Sequence, residues 1–370
     1  MAKVITSEKK AFTLVNAKVD EKLVDVFVDG GVTVKVCDAG VSSPVGEIID
    51  IEGKELYSGL FDIHCHGCLA LDTMDGHVDD HMARMARYWA ENGTTSWLAT
   101  TMTMDKQSIL NALDADRNVK DGCNVPGFHL EGPYINLKYK GAQNPEYVQA
   151  PSLEDLEEYK KKGALMITVA PEVEGGIEFI KNCGISVALG HTDATYEQAC
   201  EAFDAGADNV THTFNAMPGL HHRNPSVVGA AIEKNAYVQA ITDGTHLHKA
   251  VITMLYRTFG VERMIIISDE ISAAGLSDGV YESGGLRVTV KDGVARIDNG
   301  AIAGSTTTLY NCVRRAIEFG IPKKDAFRMA SRTPAELLGL KKGRIEEGYD
   351  AEFIVVNPDL SLECTIILNK

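Results

Sequence analysis

From about Gly59 onward the chain repeats one unit, a short apolar run followed by an amphipathic helical segment. The runs read "LFDIHCH", "TSWLATT", "VPGFHLEG", "ALMITVAP", "SVALGHT", "DNVTHTF", "YVQAITDG" and "RMIIISDE". Between them lie "DDHMARMARYWAENG", "KQSILNALDADRNV", "SLEDLEEYKKKG", "TYEQACEAFDAG" and "HKAVITMLYRTFG". Several of these finish on glycine, a good helix stop. Such alternation marks βα units. Eight units over roughly 280 residues predict a (β/α)8 barrel, with allowance for insertions.

Two segments break the rhythm. Residues 133–150, "PYINLKYKGAQNPEYVQA", read as a long loop after the third run, and residues 278–303 read as a β-hairpin insert after the eighth. Loops of that length inside a barrel are usually lids or binding loops. The first 57 residues differ in texture, with valines alternating at period two and Gly or Asp at the turns. After the helical stretch "KKDAFRMASRTPAELLGL" the strand texture returns in "GRIEEGYDAEFIVVNPDLSLECTIIL". Residues 1–58 and 341–370 are therefore expected to form one small β-sandwich domain beside a barrel of residues 59–340.

Charge narrows the function classes. The 370 residues carry 36 basic against 52 acidic side chains, a net of −16, which argues against a nucleic-acid partner. A small anionic substrate remains compatible, because a few local Arg and His residues can hold one phosphate. No stretch approaches 18 uncharged apolar residues, so no membrane span is expected. The N-terminus lacks signal-peptide character, and the eight cysteines are scattered as in a reduced cytoplasmic protein.

In a barrel, chemistry sits at the C-terminal ends of the strands. There the first run places His64 and His66, the third Glu131, the fifth His191, the sixth His212 and the eighth Asp269. Four of only 11 histidines thus occupy one kind of position, which chance explains poorly. On a strand, residues two apart share a face, so His64 and His66 point inward and Cys65 outward. Cys65 and Cys68 alone would suggest a structural zinc site, but such a site needs a second ligand pair, and no second Cys-x-x-Cys exists. Glu131, His191 and Asp269 each admit a helix-capping role, and His212 a core role. Their common address favours metal binding. Imidazole and carboxylate without thiolate suit Zn²⁺, Fe²⁺ or Mn²⁺. Such a centre activates water, and an uncoordinated Asp beside it can move the proton to a leaving amine. Hydrolysis of a C–N bond is the expected chemistry.

These residues resemble the amidohydrolase superfamily. More narrowly, "GLFDIHCHG", "HLEGPYINLKYKGAQNP", "LGHTDATY", "THTFNAMPGLHHRNP", "DGTHLH", "ISDEISAAG" and "AGSTTTL" resemble the N-acetylglucosamine-6-phosphate deacetylase family. The resemblance implies a principal divalent metal, zinc before iron or manganese, on Glu131, His191 and His212. It implies a second, optional ion on His64 and His66, and Asp269 as general acid–base. It assigns Gln143, Asn215, Ala216 and His246 to substrate. It also implies a homodimer in which Arg223 reaches the neighbouring active site to bind phosphate.

Two positions depart from the family. Gln143 stands where some members have a histidine, and Glu270 is bulkier and more acidic than the small residue expected after the catalytic Asp. Strand alternation would turn Glu270 away from the pocket. Amidohydrolases that bridge two metals with a carboxylated Lys carry it at the end of strand four. Here that run ends "MITVAPE", without Lys. An N-acetylgalactosamine-6-phosphate deacetylase and a non-catalytic sugar-phosphate sensor are the competing readings, though a sensor would not need every one of these groups.

Overall fold

A computed structural model of the chain describes residues 2–6, 11–76, 78 and 80–368. Eight parallel strands form one sheet in sequence order. They are β1 (Leu60–Cys65), β2 (Thr94–Thr101), β3 (Asn124–Glu131), β4 (Ala164–Val169), β5 (Ser186–Leu189), β6 (Asn209–Val210), β7 (Tyr237–Ile241) and β8 (Met264–Ile267). Closure between β8 and β1 comes from backbone bonds just past the end of β8. Asp269 N–H donates to His64 O at 3.0 Å, and His66 N–H donates to Glu270 O at 2.8 Å. The expected barrel is the one observed.

Side chains sort by the pleat. On β8, Ile265 and Ile267 enter the barrel interior with Phe61, Ile63, Leu98, Met166 and Ala188, while Met264 and Ile266 pack outward under the helices. The helices end where local chemistry dictates. Tyr196–Ala205 opens on a capping box of Thr195 with Gln198 and stops at Gly206, φ +123°. Lys106–Leu113 is shorter than its sequence suggests, because "DADRN" offers its side chains to the backbone: Asp116 accepts from Asn118 N–H at 2.9 Å.

The insert after β8 differs from expectation. It is a three-stranded antiparallel meander, Gly279–Ser283, Leu286–Lys291 and Val294–Ile297, rather than a hairpin. The loop after β3 carries two short 3-10 turns, Leu137–Tyr139 and Pro145–Tyr147.

The terminal segments meet in one mixed sheet, where strands Lys3–Thr6, Glu352–Val356 and Leu362–Ile367 join those between Ala11 and Ser58. Residues 1, 7–10, 369 and 370 of the expected small domain lie outside the described residues. Both halves of the sheet share a core of Phe12, Leu14, Val26, Leu56, Phe353 and Ile366.

Glu352 fastens this sheet to the barrel. Its buried carboxylate accepts from Thr95 Oγ1 (2.9 Å) and Ser96 Oγ (2.9 Å) on β2, from Asn124 Nδ2 (2.7 Å) on β3, and from Lys342 Nζ. A buried carboxylate is tolerable only when its lone pairs are filled and its charge is opposed. Glu352→Gln leaves Lys342 with Asp350 alone and should lower stability by about 3 kcal/mol. Urea unfolding of the variant beside the parent tests this, and an unchanged midpoint would refute it.

Candidate active site

The residues predicted from strand ends do converge. Glu131 is the last residue of β3, while His191, His212 and Asp269 each stand two residues beyond β5, β6 and β8. Four ring nitrogens surround the Glu131 carboxylate. Oε1 lies 3.0 Å from His212 Nε2, 3.1 Å from His191 Nε2 and 3.2 Å from His64 Nε2, and Oε2 lies 3.1 Å from His66 Nε2. Asp269 Oδ1 is 3.4 Å from Nε2 of both His64 and His66.

How β1 aims both histidines inward is not simple alternation. Phe61 and Ile63 already face the interior, so His64 should face out. A register slip against β2 between Asp62 and Cys65 inserts one residue and reverses the parity. Such bulges re-aim side chains beside active sites. Cys65 and Cys68 then pack in the outer core, as expected of bystanders.

Three of the rim residues adopt left-handed backbone: His191 at φ +48°, His212 at +24° and Asp269 at +52°. For residues other than glycine this is costly and persists only where surrounding structure imposes it.

The donor set fits a divalent cation. His191 Nδ1–H donates to Tyr139 O at 2.9 Å, and His66 Nδ1–H to Thr100 O at 3.2 Å. His64 Nδ1–H donates to the Gln239 side-chain carbonyl at 3.2 Å, whose own amide nitrogen is held by Asn209 Oδ1 at 2.7 Å. A ring nitrogen facing a carbonyl must carry the proton, so each opposite Nε2 of the neutral ring presents a lone pair. His191 Nε2 nevertheless lies only 3.1 Å from His212 Nε2. Lone pairs and carboxylate oxygens this close need positive charge among them. Two buried triads could supply the ligands, Glu131–His191–His212 and His64–His66–Asp269.

Electrostatics agree. Burial pushes the Glu131 carboxyl up, but the His64, His191 and His212 rings around it outweigh burial and hold the group well below its ordinary range. Burial also raises Asp269, and His64 and His66 bring it below its ordinary value. Asp269 is thus ionised at neutral pH.

A cavity of about 320 Å³ opens over these groups. Gln143, Asn215, Ala216 and His246 line it, as does an apolar wall that includes Met102, Ile271, Val288 and Ile297. The meander thereby contributes to the site. Asn215 Nδ2 is tied to His212 O at 3.0 Å, and His246 Nδ1 to Asp243 Oδ2 at 2.8 Å. Arg223 stands apart on an exposed loop, its Nη1 2.6 Å from His222 Nε2, and does not line the cavity of its own chain.

One residue escaped the sequence reading. His129, two before Glu131 and therefore on the same face of β3, stands edge-on to His64 with centroids 4.6 Å apart. Its Nε2 bonds Thr168 Oγ1 at 2.8 Å, and burial, then the neighbouring His64, holds its pKa well below the ordinary value. Its place in the strand period was the available signal.

Glu270 turns away from the cavity, as alternation anticipates. Its Oε2 accepts from Trp89 Nε1 at 2.6 Å in the helical layer, and burial pushes its pKa up to about 8. The unfolded chain ionises this group near its ordinary 4.5, the folded chain only near 8. Stability should therefore fall as pH rises between those values. Glu270→Gln, which keeps the acceptor for Trp89, should remove that slope and raise stability at pH 8 by about 3–4 kcal/mol, with little change at pH 4.5. Unfolding followed at both pH values tests it, and equal effects at the two would sink it.

Comparison with known proteins places the chain. The amidohydrolase family profile matches residues 56–369. The N-acetylglucosamine-6-phosphate deacetylase of Vibrio furnissii is 37% identical over 359 residues, 93% of this chain and 90% of that protein. The N-acetylgalactosamine-6-phosphate deacetylase of Escherichia coli O157:H7 is 34% identical over 330 residues, 85% of this chain and 87% of that one. A mutant N-acetyl-D-glucosamine-6-phosphate deacetylase from Mycobacterium smegmatis, solved in complex with N-acetyl-D-glucosamine-6-phosphate, superposes with a TM-score of 0.87 at 30% identity, covering 96% of this chain and 97% of that one. With the barrel, the two triads and this likeness along most of its length, the chain belongs to the amidohydrolase family, among its N-acetylglucosamine-6-phosphate deacetylases.

Proposed function

We propose that this chain hydrolyses the acetamide of N-acetylglucosamine 6-phosphate, giving glucosamine 6-phosphate and acetate. The observation that carries the reading is Asp269, an ionised carboxylate facing the cavity beside imidazole and carboxylate ligands held by outer hydrogen bonds. Glu131, His191 and His212 would hold a divalent ion, zinc before iron or manganese, which when bound would lower the pKa of a water and polarise an amide carbonyl. His64 and His66 offer a second position.

Asp269 has two tasks. It accepts the proton as water adds to the acetyl carbon, then delivers it to the amine nitrogen as the C–N bond breaks. Asn215, the Ala216 backbone and His246 line the wall where the sugar phosphate would rest. Gln143 borders the same cavity beside Glu131. Arg223 serves the phosphate of a partner's site in a homodimer, because Arg matches phosphate geometry bidentately. The Escherichia coli relative keeps the galacto epimer as a second substrate reading.

Among the described residues no helix is long and apolar enough to cross a membrane. All eight cysteines are free, which suits the reducing cytoplasm as the working compartment.

Asp269→Asn should lower kcat by a factor of roughly 10²–10⁴ while the Glu131–His191–His212 ion stays bound. Acetate release with metal analysis on one sample tests both halves, and wild-type turnover would remove Asp269 from its role. Arg223→Ala should raise KM for the phosphorylated substrate by about 10–100-fold and leave the unphosphorylated sugar unaffected. Equal losses on both sugars would refute the phosphate role. Assaying both epimers chooses between the substrate readings.

A further inference from the structure

A carboxylate that serves several ring nitrogens works only if it is held against rotation about its terminal torsion, which is broad and soft. Gln143 supplies that restraint. It comes from the loop between the two 3-10 turns, and its side chain is almost wholly buried. Its Oε1 accepts the backbone N–H of Thr103 at 2.8 Å. A backbone N–H can only donate, so this contact fixes which end of the amide is oxygen. Nε2 must then face Glu131, and it donates to Oε2 at 2.6 Å.

Thr103 closes the circuit, its hydroxyl donating to the Glu131 main-chain carbonyl at 3.2 Å. The loop after β2, the loop after β3 and the carboxylate thus form one ring of hydrogen bonds. The other face of Nε2 looks toward Met102 Sδ at 4.0 Å. Little donor capacity remains for a substrate, although Gln143 borders the cavity.

We propose that Gln143 is a positioning residue for the metal-binding carboxylate, setting the Glu131 torsion so that Oε1 faces His191 and His212. The inference rests on reading those three residues as metal ligands. It makes the amide an outer partner of the metal rather than a contact of the sugar. Partners of this kind typically change metal affinity by about 10–100-fold.

The test uses metal-free protein titrated with zinc against a chromophoric chelator, for the parent and for Gln143→Met, which keeps length and volume but has no donor. Zinc affinity should fall about 10–100-fold, while the metal-free variant still unfolds in one cooperative transition, its midpoint lowered only modestly by the orphaned Thr103 N–H. Gln143→Asn, whose amide is too short to reach both partners, should behave alike and carries the test if the Met variant fails to fold. Wild-type zinc affinity in the variants, with only KM raised, would show a substrate contact and overturn the inference. Zinc binding by a parent chain that releases no acetate would sink the deacetylase reading and leave this one standing, because the titration reads metal and not turnover.

Discussion

The carboxylate of Glu131, buried at the barrel mouth within 3.0–3.2 Å of ring nitrogens from His64, His66, His191 and His212, sets the terms for everything around it. A lone carboxylate at that depth would take up a proton. Here it stays ionised because β1, β5 and β6 each deliver imidazole to it. The strands in turn need it. Without a shared partner, four imidazoles packed with centroids 4.9–5.4 Å apart would gain nothing from converging. The site and the upper part of the barrel are one electrostatic assembly.

Holding that assembly still is the work of groups that surround these ligands. Thr100, Tyr139 and Gln239 orient three rings by accepting from their outer nitrogens. Gln143 and Thr103 bracket the carboxylate. The positive φ of His191, His212 and Asp269 belongs to the same economy: strain at the site, offset by a well-packed barrel beneath it. Asp269 is doubly constrained, because its N–H also closes the barrel onto His64 O. The residue that would move the proton is also part of the seam.

The other end of the barrel is tied just as firmly, by a different ion pair. Glu352 and Lys342 join the terminal sheet to β2 and β3 through a buried network. Two buried carboxylates, Glu131 and Glu352, therefore anchor opposite ends of the same strands. One is surrounded by groups suited to a metal and a substrate, the other by hydroxyls, an amide and a lysine. Only the first opens on a cavity lined by candidate catalytic groups. The distinction follows from their neighbours and not from the carboxylates themselves.

Much of this was legible in the sequence, because it rests on local properties. Alternating runs and amphipathic segments specify βα units, eight of them specify the barrel, and residue type at each strand end specifies the chemistry at its mouth. The family likeness in "HLEGPY" and "THTFNAM" follows from the same local strings. What escaped depends on neighbours distant in the chain. The bulge that turns both His64 and His66 inward is a misfit between β1 and β2. The third strand of the meander, the shortened helix Lys106–Leu113 and the role of His129 likewise emerged only from packing. Sequence by itself determined which groups would stand at the rim. Tertiary structure decided where they point and which hydrogen bonds hold them, because side-chain direction and pairing are set by contacts between strands that no local pattern encodes.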